Sequence, residues 1–381
     1  MRLKTTAGFL ASLSALPLLL GACGGEQETI VLGVAGPMKE TNGISVRNAA
    51  QMAVDEINRK GGIDGRSIEL LILDDEKSEK RGIEVARDLR ANERVVAVIG
   101  HVNSAVSVKA ATIYNSVSDS VPGEPVVEIS PASSAPALTG AGPWTFRVTP
   151  TDLEFSPALA RHARTRLGSS KAAVLYANDE YGQGVTSTFE AAFREQGGQI
   201  VSTDPYLPAV IKNPQSLDAY LVRAIRRGAD ALVIGGQADA GVTIIQAARR
   251  LGFSGPIMGS DGLTGVKDAG AVGEGVFVSS AFLADSQEPR AREFVAEYRR
   301  RFSKSPDHRA AQTYDVVYLL RDAIEKAGAG RAAIRAQLEK VRGDQAHQGV
   351  SGIIQFDENG DVERKPVLIG VVRGGELVTA R

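Results

Sequence analysis

The residues of this chain best placed to do chemistry stand at the end of one apolar strand. In Arg94 to Ser107, RVVAVIGHVNSAVS, the unbroken Val, Ala and Ile run from Val95 to Ile99 stops at Gly100, and a helix is predicted to begin near Ser104. Such a run suits the middle of a parallel sheet covered on both faces. Open α/β sheets bind ligands beyond the C-terminal ends of their strands, where a helix N-terminus offers free N–H groups to an anion. From Gly100 to Ser107 there is no Lys, Arg or Cys. The segment therefore suits holding a small anionic group through hydroxyl and backbone, without a covalent step.

Other chemistry finds no footing. No G-x-G-x-x-G follows a strand, and there is neither a P-loop lysine nor a G-x-S-x-G elbow. His101, His162, His308 and His347 show no H-E-x-x-H spacing, and the single cysteine, Cys23, leaves no second thiol for a zinc site. His101, at the strand end, is expected to be packed or hydrogen-bonded rather than catalytic. Asp74 and Asp75 could hold a metal, but a loop pair capping nearby backbone is the simpler expectation. The run from Asp357 starts like a calcium loop, yet its bidentate glutamate would fall at Leu368, so calcium is not expected. The chain is expected to be no enzyme and to need no cofactor or metal.

The elements that position these residues alternate. Strands are predicted at Thr29–Ala35, Ser67–Leu73, Val95–Ile99 and Val126–Ile129, with helices at Ile44–Lys60, Glu79–Ala91 and Ser104–Ser116 between them. Gly61-Gly62 ends the first helix. A second series follows Trp144–Val148: helices at Leu153–Leu167, Gly184–Glu195, Leu217–Arg227 and Ala240–Leu251 alternate with strands at Ala172–Tyr176, Gln199–Thr203, Ala231–Ile234, Ile257-Met258 and Gly275–Ser280. Repeated β-α order argues an α/β fold of two doubly wound parallel-sheet lobes. The tail reads as helices at Arg290–Phe302, Ala310–Ala327 and Ala332–Val341, then a hairpin pairing Ile353–Phe356 with Val367–Val372 around Asp357–Asp361.

At 381 residues the chain exceeds one ordinary core, which also suggests two domains. Forty-four basic against 45 acidic residues leave a net charge of -1, and aromatics are 5%, so neither a basic field nor stacking platforms exist for nucleic acid. Arg2 and Lys4 precede an apolar run, Ala7 to Leu20, too short to span a bilayer, and Leu20-Gly21-Ala22-Cys23 closes it. This end resembles the lipobox of bacterial lipoproteins, which implies cleavage before Cys23 and lipidation of its thiol. Residues 1–22 would be the signal peptide and 23–28 a lipidated tether.

A wider resemblance runs through Asn58–Arg66 (NRKGGIDGR), Asp74-Asp75, Ile99-Gly100-His101, Ser130–Thr139 (SPASSAPALT), Phe146-Arg147-Val148, Asn178–Gly184 (NDEYGQG), Met258–Gly262 (MGSDG) and Phe356–Asp361. In order and spacing these are similar to the leucine/isoleucine/valine-type periplasmic binding proteins of type I, over about Thr29 to Val372. The family implies two lobes joined by a three-strand hinge, closing on a small ligand that is delivered to an ABC transporter permease. Lobe one would be 29–147 plus 283–354 and lobe two 148–282 plus 355–381, with crossings near Phe146–Thr149, Leu283–Asp285 and Ile354-Gln355. The implied protein is a monomer, anchored by lipid and facing the periplasm or cell exterior. A ligand-sensing receptor domain of the same fold, or a binder of a small amide or carboxylate, would share these features.

The resemblance also implies site residues. Ser104 would hold the ligand carboxylate, and Ala132 and Ser134 its ammonium. Asp261 from lobe two would face that ammonium, and Tyr181 would cover the ligand. The side-chain pocket departs from the family. Asn42 and Gln237 stand where tyrosines are usual, Lys77 and Asn103 replace a cysteine pair, and His308, Arg309 and Ala310 replace an aromatic stretch before Tyr314. Unpaired amides are costly against an apolar side chain, so a more polar amino acid or a related small amide is expected. Arg309 is expected to be solvated; turned inward, it would favour a second carboxylate.

Overall fold

The structure, a computed structural model, describes Met1 and residues 29–207, 211 and 213–381. The signal run, Cys23 and the rest of the tether lie outside the described residues. The first lobe follows the predicted alternation: β1 (Ile30–Gly36), α1 (Thr41–Arg59), β2 (Ile68–Asp74), α2 (Glu79–Ala91), β3 (Val95–Ile99), α3 (Ser104–Tyr114), β4 (Glu128–Ser130) and β5 (Thr145–Arg147). Its sheet is ordered β2-β1-β3-β4-β5, every pair parallel. Side chains alternate across it: Leu32 and Val34 enter one core layer while Val31 and Ala35 enter the other, as a strand buried on both faces requires.

The second lobe repeats the plan with α4 (Asp152–Thr165), β6 (Lys171–Ala177), α5 (Glu180–Glu195), β7 (Gln199–Tyr206), α6 (Asp218–Arg226), β8 (Ala231–Gly235), α7 (Ala238–Arg250), β9 (Ile257–Gly259) and β10 (Phe277–Ser280). Its parallel part runs β7-β6-β8-β9-β10, the order of the first sheet. Strand order therefore reverses between β1 and β3 in one lobe and between β6 and β8 in the other. Crevices at such reversals are where open α/β sheets take ligands.

The tail helices α8 (Pro289–Phe302), α9 (His308–Ala327) and α10 (Arg331–Leu338) return to the first lobe, where Val316 and Leu320 of α9 and Ile334 of α10 share a core layer with Val46 and Ala50 of α1. The predicted hairpin takes a different form. Strand β12 (Gly352–Ile354) pairs with β11 (His347–Gly349), while β13 (Leu368–Arg373) lies antiparallel between β10 and β14 (Glu376–Thr379) in the second sheet. The turn at Asp357–Asp361 is real, but it returns only as far as the Phe356–Val362 bridge. Phe356 and Val362 both lie in the first lobe's core, so the chain leaves that lobe after Val362, later than the crossing expected near Ile354-Gln355. Apolar patterning on either side of a turn does not say which sheet each strand joins.

Candidate functional site

Each strand beside a crevice hands over to a residue singled out from the sequence. Asn42 follows β1, Asn103 and Ser104 follow β3, Ala132 and Ser134 follow β4, Tyr181 follows β6, Gln237 follows β8 and Asp261 follows β9. All except Gln237, which is half-buried, are buried.

On the first lobe, the turn after β4 is stitched to the start of α3. Ser130 donates to the His101 carbonyl at 2.7 Å, the Ser133 and Ser107 hydroxyls meet at 2.6 Å, and the Ala135 N–H donates to Ser104 Oγ at 3.3 Å. Arg147 holds the turn from behind, donating to the Ala135 carbonyl at 2.8 Å while its Nε and second terminal nitrogen reach the two Asp361 oxygens at 2.5 and 2.8 Å. Asn103 is the N-cap of α3, yet its side chain makes no capping bond and its Oδ1 is buried without a partner. The first-turn N–H groups of α3 are thus not taken by their own cap.

On the second lobe, Tyr181 sits in the first turn of α5, whose N-cap Asp179 accepts from the Gly182 N–H at 2.8 Å. The Tyr181 hydroxyl accepts from the Gly262 N–H at 2.7 Å and donates to Asp261 Oδ1 at 3.0 Å. A Cβ on Gly262 would come within 2.5 Å of that hydroxyl, so glycine is what permits the contact. Burial pushes the Asp261 carboxyl up. The neighbouring His308, the charge of Arg309 and the Tyr181 hydroxyl together outweigh it and hold the carboxyl below its ordinary value. His308 Nε2 lies 3.6 Å from Asp261 Oδ2, and Arg309 donates to the Asp261 carbonyl at 3.2 Å. Arg309 is 2% exposed, which corrects the expectation that it is solvated.

One residue of this seam escaped sequence reasoning. Asp152 opens α4 behind the capping box of Thr151 and Glu154, and its N–H donates to the Ser134 carbonyl at 2.8 Å. Its carboxyl is fully buried and neither oxygen makes a well-formed hydrogen bond within the protein. Burial and then the nearby Asp261 charge push it well above the ordinary carboxylate range, only partly offset by the Ser134 hydroxyl and the Arg147 charge. In the sequence it reads as an acidic first-turn residue answering the helix dipole, and that ordinary role hides it. The capping box TDLE does mark where it would stand.

The amides expected to stand unpaired do not. Asn42 Nδ2 donates to Gln237 Oε1 at 3.1 Å across the lobes, so each amide satisfies part of the other. Beside them Lys77 reaches Asp239 at 3.2 Å, again across the cleft. A depression of about 530 Å³ opens at this mouth, lined by both pairs and by Thr41 and Asp268. A larger cavity, about 660 Å³, lies within the first lobe around Tyr314, Tyr318 and Glu56 and holds none of the seam residues. His101 is structural as expected: its Nδ1 meets Asp75 Oδ2 at 2.7 Å and its Nε2 the Tyr114 hydroxyl at 3.2 Å, all buried. Asp74 and Asp75 cap backbone N–H groups of Met38, Glu76 and Lys77.

The seam can therefore present hydroxyls and a helix N-terminus to an anion from one lobe, and carboxylates and a phenol to a cation from the other. Residues 30–376 match the family described as periplasmic binding protein. The chain is 26% identical over 353 residues to the Leu/Ile/Val-binding protein homolog 1 of Brucella abortus (strain 2308), covering 91% of each. It resembles the crystal structure of the leucine binding protein LivK from Thermotoga maritima MSB8, with a TM-score of 0.82 and 28% identity over 93% of this chain and 98% of that one. An ABC transporter substrate-binding protein from Desulfitobacterium hafniense in complex with Leu gives a TM-score of 0.77 and 29% identity over 93% of this chain and 100% of that one.

Proposed function

This chain belongs to the periplasmic binding protein family, and from that premise we propose that it captures an amino acid between its lobes and delivers it to an ABC importer. The observation that carries the reading is the opposed chemistry of the seam. The Ser104 hydroxyl and the first N–H groups of α3 take the ligand carboxylate, which needs no buried cation because each donor is already fixed. The Ala132 carbonyl and the Ser134 hydroxyl accept from its ammonium, with Asp261 and Asp152 supplying the counter-charge. Tyr181 orients Asp261 and covers the ligand. Asn42, Asn103 and Gln237 line the approach. No covalent step is required; the work is done by lobe closure, which completes a site that each lobe holds in half. No helix among the described residues is long and apolar enough to cross a membrane. Lipidated Cys23 would keep the exported lobes, a monomer, near the permease.

The test is calorimetric titration of residues 24–381, unfolded and refolded to strip bound ligand, against the common amino acids. One-to-one binding of an amino acid is expected. No heat and no rise in unfolding temperature with any of them would overturn the reading.

A further inference from the structure

Helix α9 begins in an unusual way. Its N-cap Asp307 accepts from the Ala310 N–H at 2.9 Å, and the next two residues, His308 and Arg309, are buried in the first turn. A helix N-terminus carries partial positive charge and favours anions, so a buried guanidinium there must be balanced by acceptors. The balance within the protein is incomplete. Arg309 reaches Asp307 at 3.3 Å and the Asp261 carbonyl at 3.2 Å, but its Nε is buried with no partner. His308 contacts the Thr264 hydroxyl through Nδ1 at 3.3 Å, while its Nε2, 3.6 Å from Asp261 Oδ2, makes no hydrogen bond. Both residues also contact Asp261, His308 at the oxygen that Tyr181 leaves free and Arg309, through a terminal nitrogen, at the carbonyl.

We propose that His308 and Arg309 select an amino acid whose side chain ends in a carboxamide or carboxylate oxygen. The proposal rests on the reading that the interlobe cleft binds an amino acid. The head is held by Ser104, Ser134 and Asp261, and the side chain runs from it past Asp261 toward the start of α9. An acceptor oxygen there satisfies the two donors. A leucine, isoleucine or valine side chain at the same place would leave both donors desolvated and unpaired. Sites built to hydrogen-bond a ligand reject analogues that lack the group, by up to about 10⁴–10⁵-fold where it is most developed. Arg309 already shares its charge with Asp307, so a neutral carboxamide and a carboxylate both meet the requirement, and comparing them separates the two.

The experiment titrates refolded residues 24–381 with glutamine, asparagine, glutamate and aspartate, and separately with leucine, isoleucine and valine. The best ligand of the first group is expected to bind at least about tenfold tighter than any of the second, since one good charge-assisted hydrogen bond is worth about that much. Arg309→Met should weaken that ligand by about tenfold or more and narrow the gap, while Arg309→Lys, which keeps a donor, should restore part of it. Leucine, isoleucine or valine binding as tightly as the first group overturns the selection and leaves the amino acid site standing. Binding of no amino acid overturns the site itself. If Arg309→Met fails to fold by circular dichroism, His308→Gln and the wild-type ranking decide the question.

Discussion

At the scale of single residues, the site is a balance of buried charges. Asp261 is held ionised by His308, Arg309 and Tyr181, as its proposed pairing with a ligand ammonium requires. Asp261→Ala should cost about 2–5 kcal/mol of ligand affinity by calorimetry, because it leaves the ammonium buried and unpaired. Asp152 behaves in the opposite way. Burial and the Asp261 charge keep its carboxyl protonated above the ordinary range, and an ammonium beside it favours the charged form. Binding should therefore release a proton. Affinity should rise with pH until the unliganded carboxyl ionises by itself, and Asp152→Asn should flatten that rise. Titrations in buffers of different ionisation enthalpy count the proton. Of these residues, Asp261 was legible through its motif, whereas Asp152 passed for a helix-start acid because its exposure depends on α5 closing over it.

At the scale of elements, two contacts decide how closely neighbouring elements pack. Helix α5 of the second lobe packs on the turn after β4 through Gly184, where a Cβ would come within 2.5 Å of Asp152 Oδ2 and 3.1 Å of Pro136 Cδ. Gly184→Ala should lower ligand affinity by about tenfold or more and also lower the melting temperature, since the added carbon presses on Asp152 of the same lobe as well as on Pro136 of the other. In the first lobe, β4 carries Glu128, buried with one oxygen accepting from Thr145 at 2.9 Å and the other without a partner. Burial raises its pKa from 4.5 to about 8, with Thr145 opposing only in part. The folded state then holds a proton that the unfolded state has lost. The contribution of this group is full below about pH 4.5 and is lost as pH rises through about 8. Denaturant midpoints should show Glu128→Gln gaining on the wild type across that window by roughly 2–5 kcal/mol.

At the scale of the molecule, the lobes are latched across the cleft mouth by the Asn42–Gln237 hydrogen bond and the Lys77–Asp239 pair. Asp239 is 63% exposed, so its pair contributes little and should weaken further with salt. The amide pair is the firmer latch, worth about 0.5–1.5 kcal/mol. Asn42→Ala combined with Gln237→Ala should shift the unliganded protein toward open forms, read as a larger radius of gyration by X-ray scattering. Ligand affinity should fall by no more than about tenfold. An unchanged radius would mean that the resting angle is set by the hinge segments alone.

Much of this architecture was written in local chemistry. Unbroken apolar strands alternating with amphipathic helices determined two doubly wound lobes, and strand β3 and the start of α3 stand where the sequence puts them, because burial on both faces and the 3.6-residue period are properties of short segments. The motifs after the strands indicated most of the seam. Only the tertiary structure decided that Asn42 and Gln237 pair with each other, that Arg309 is buried against Asp261, and that β12 and β13 join different sheets. Each of these joins residues far apart in the chain. Their partners are chosen by the way whole lobes dock, and no local pattern carries that information.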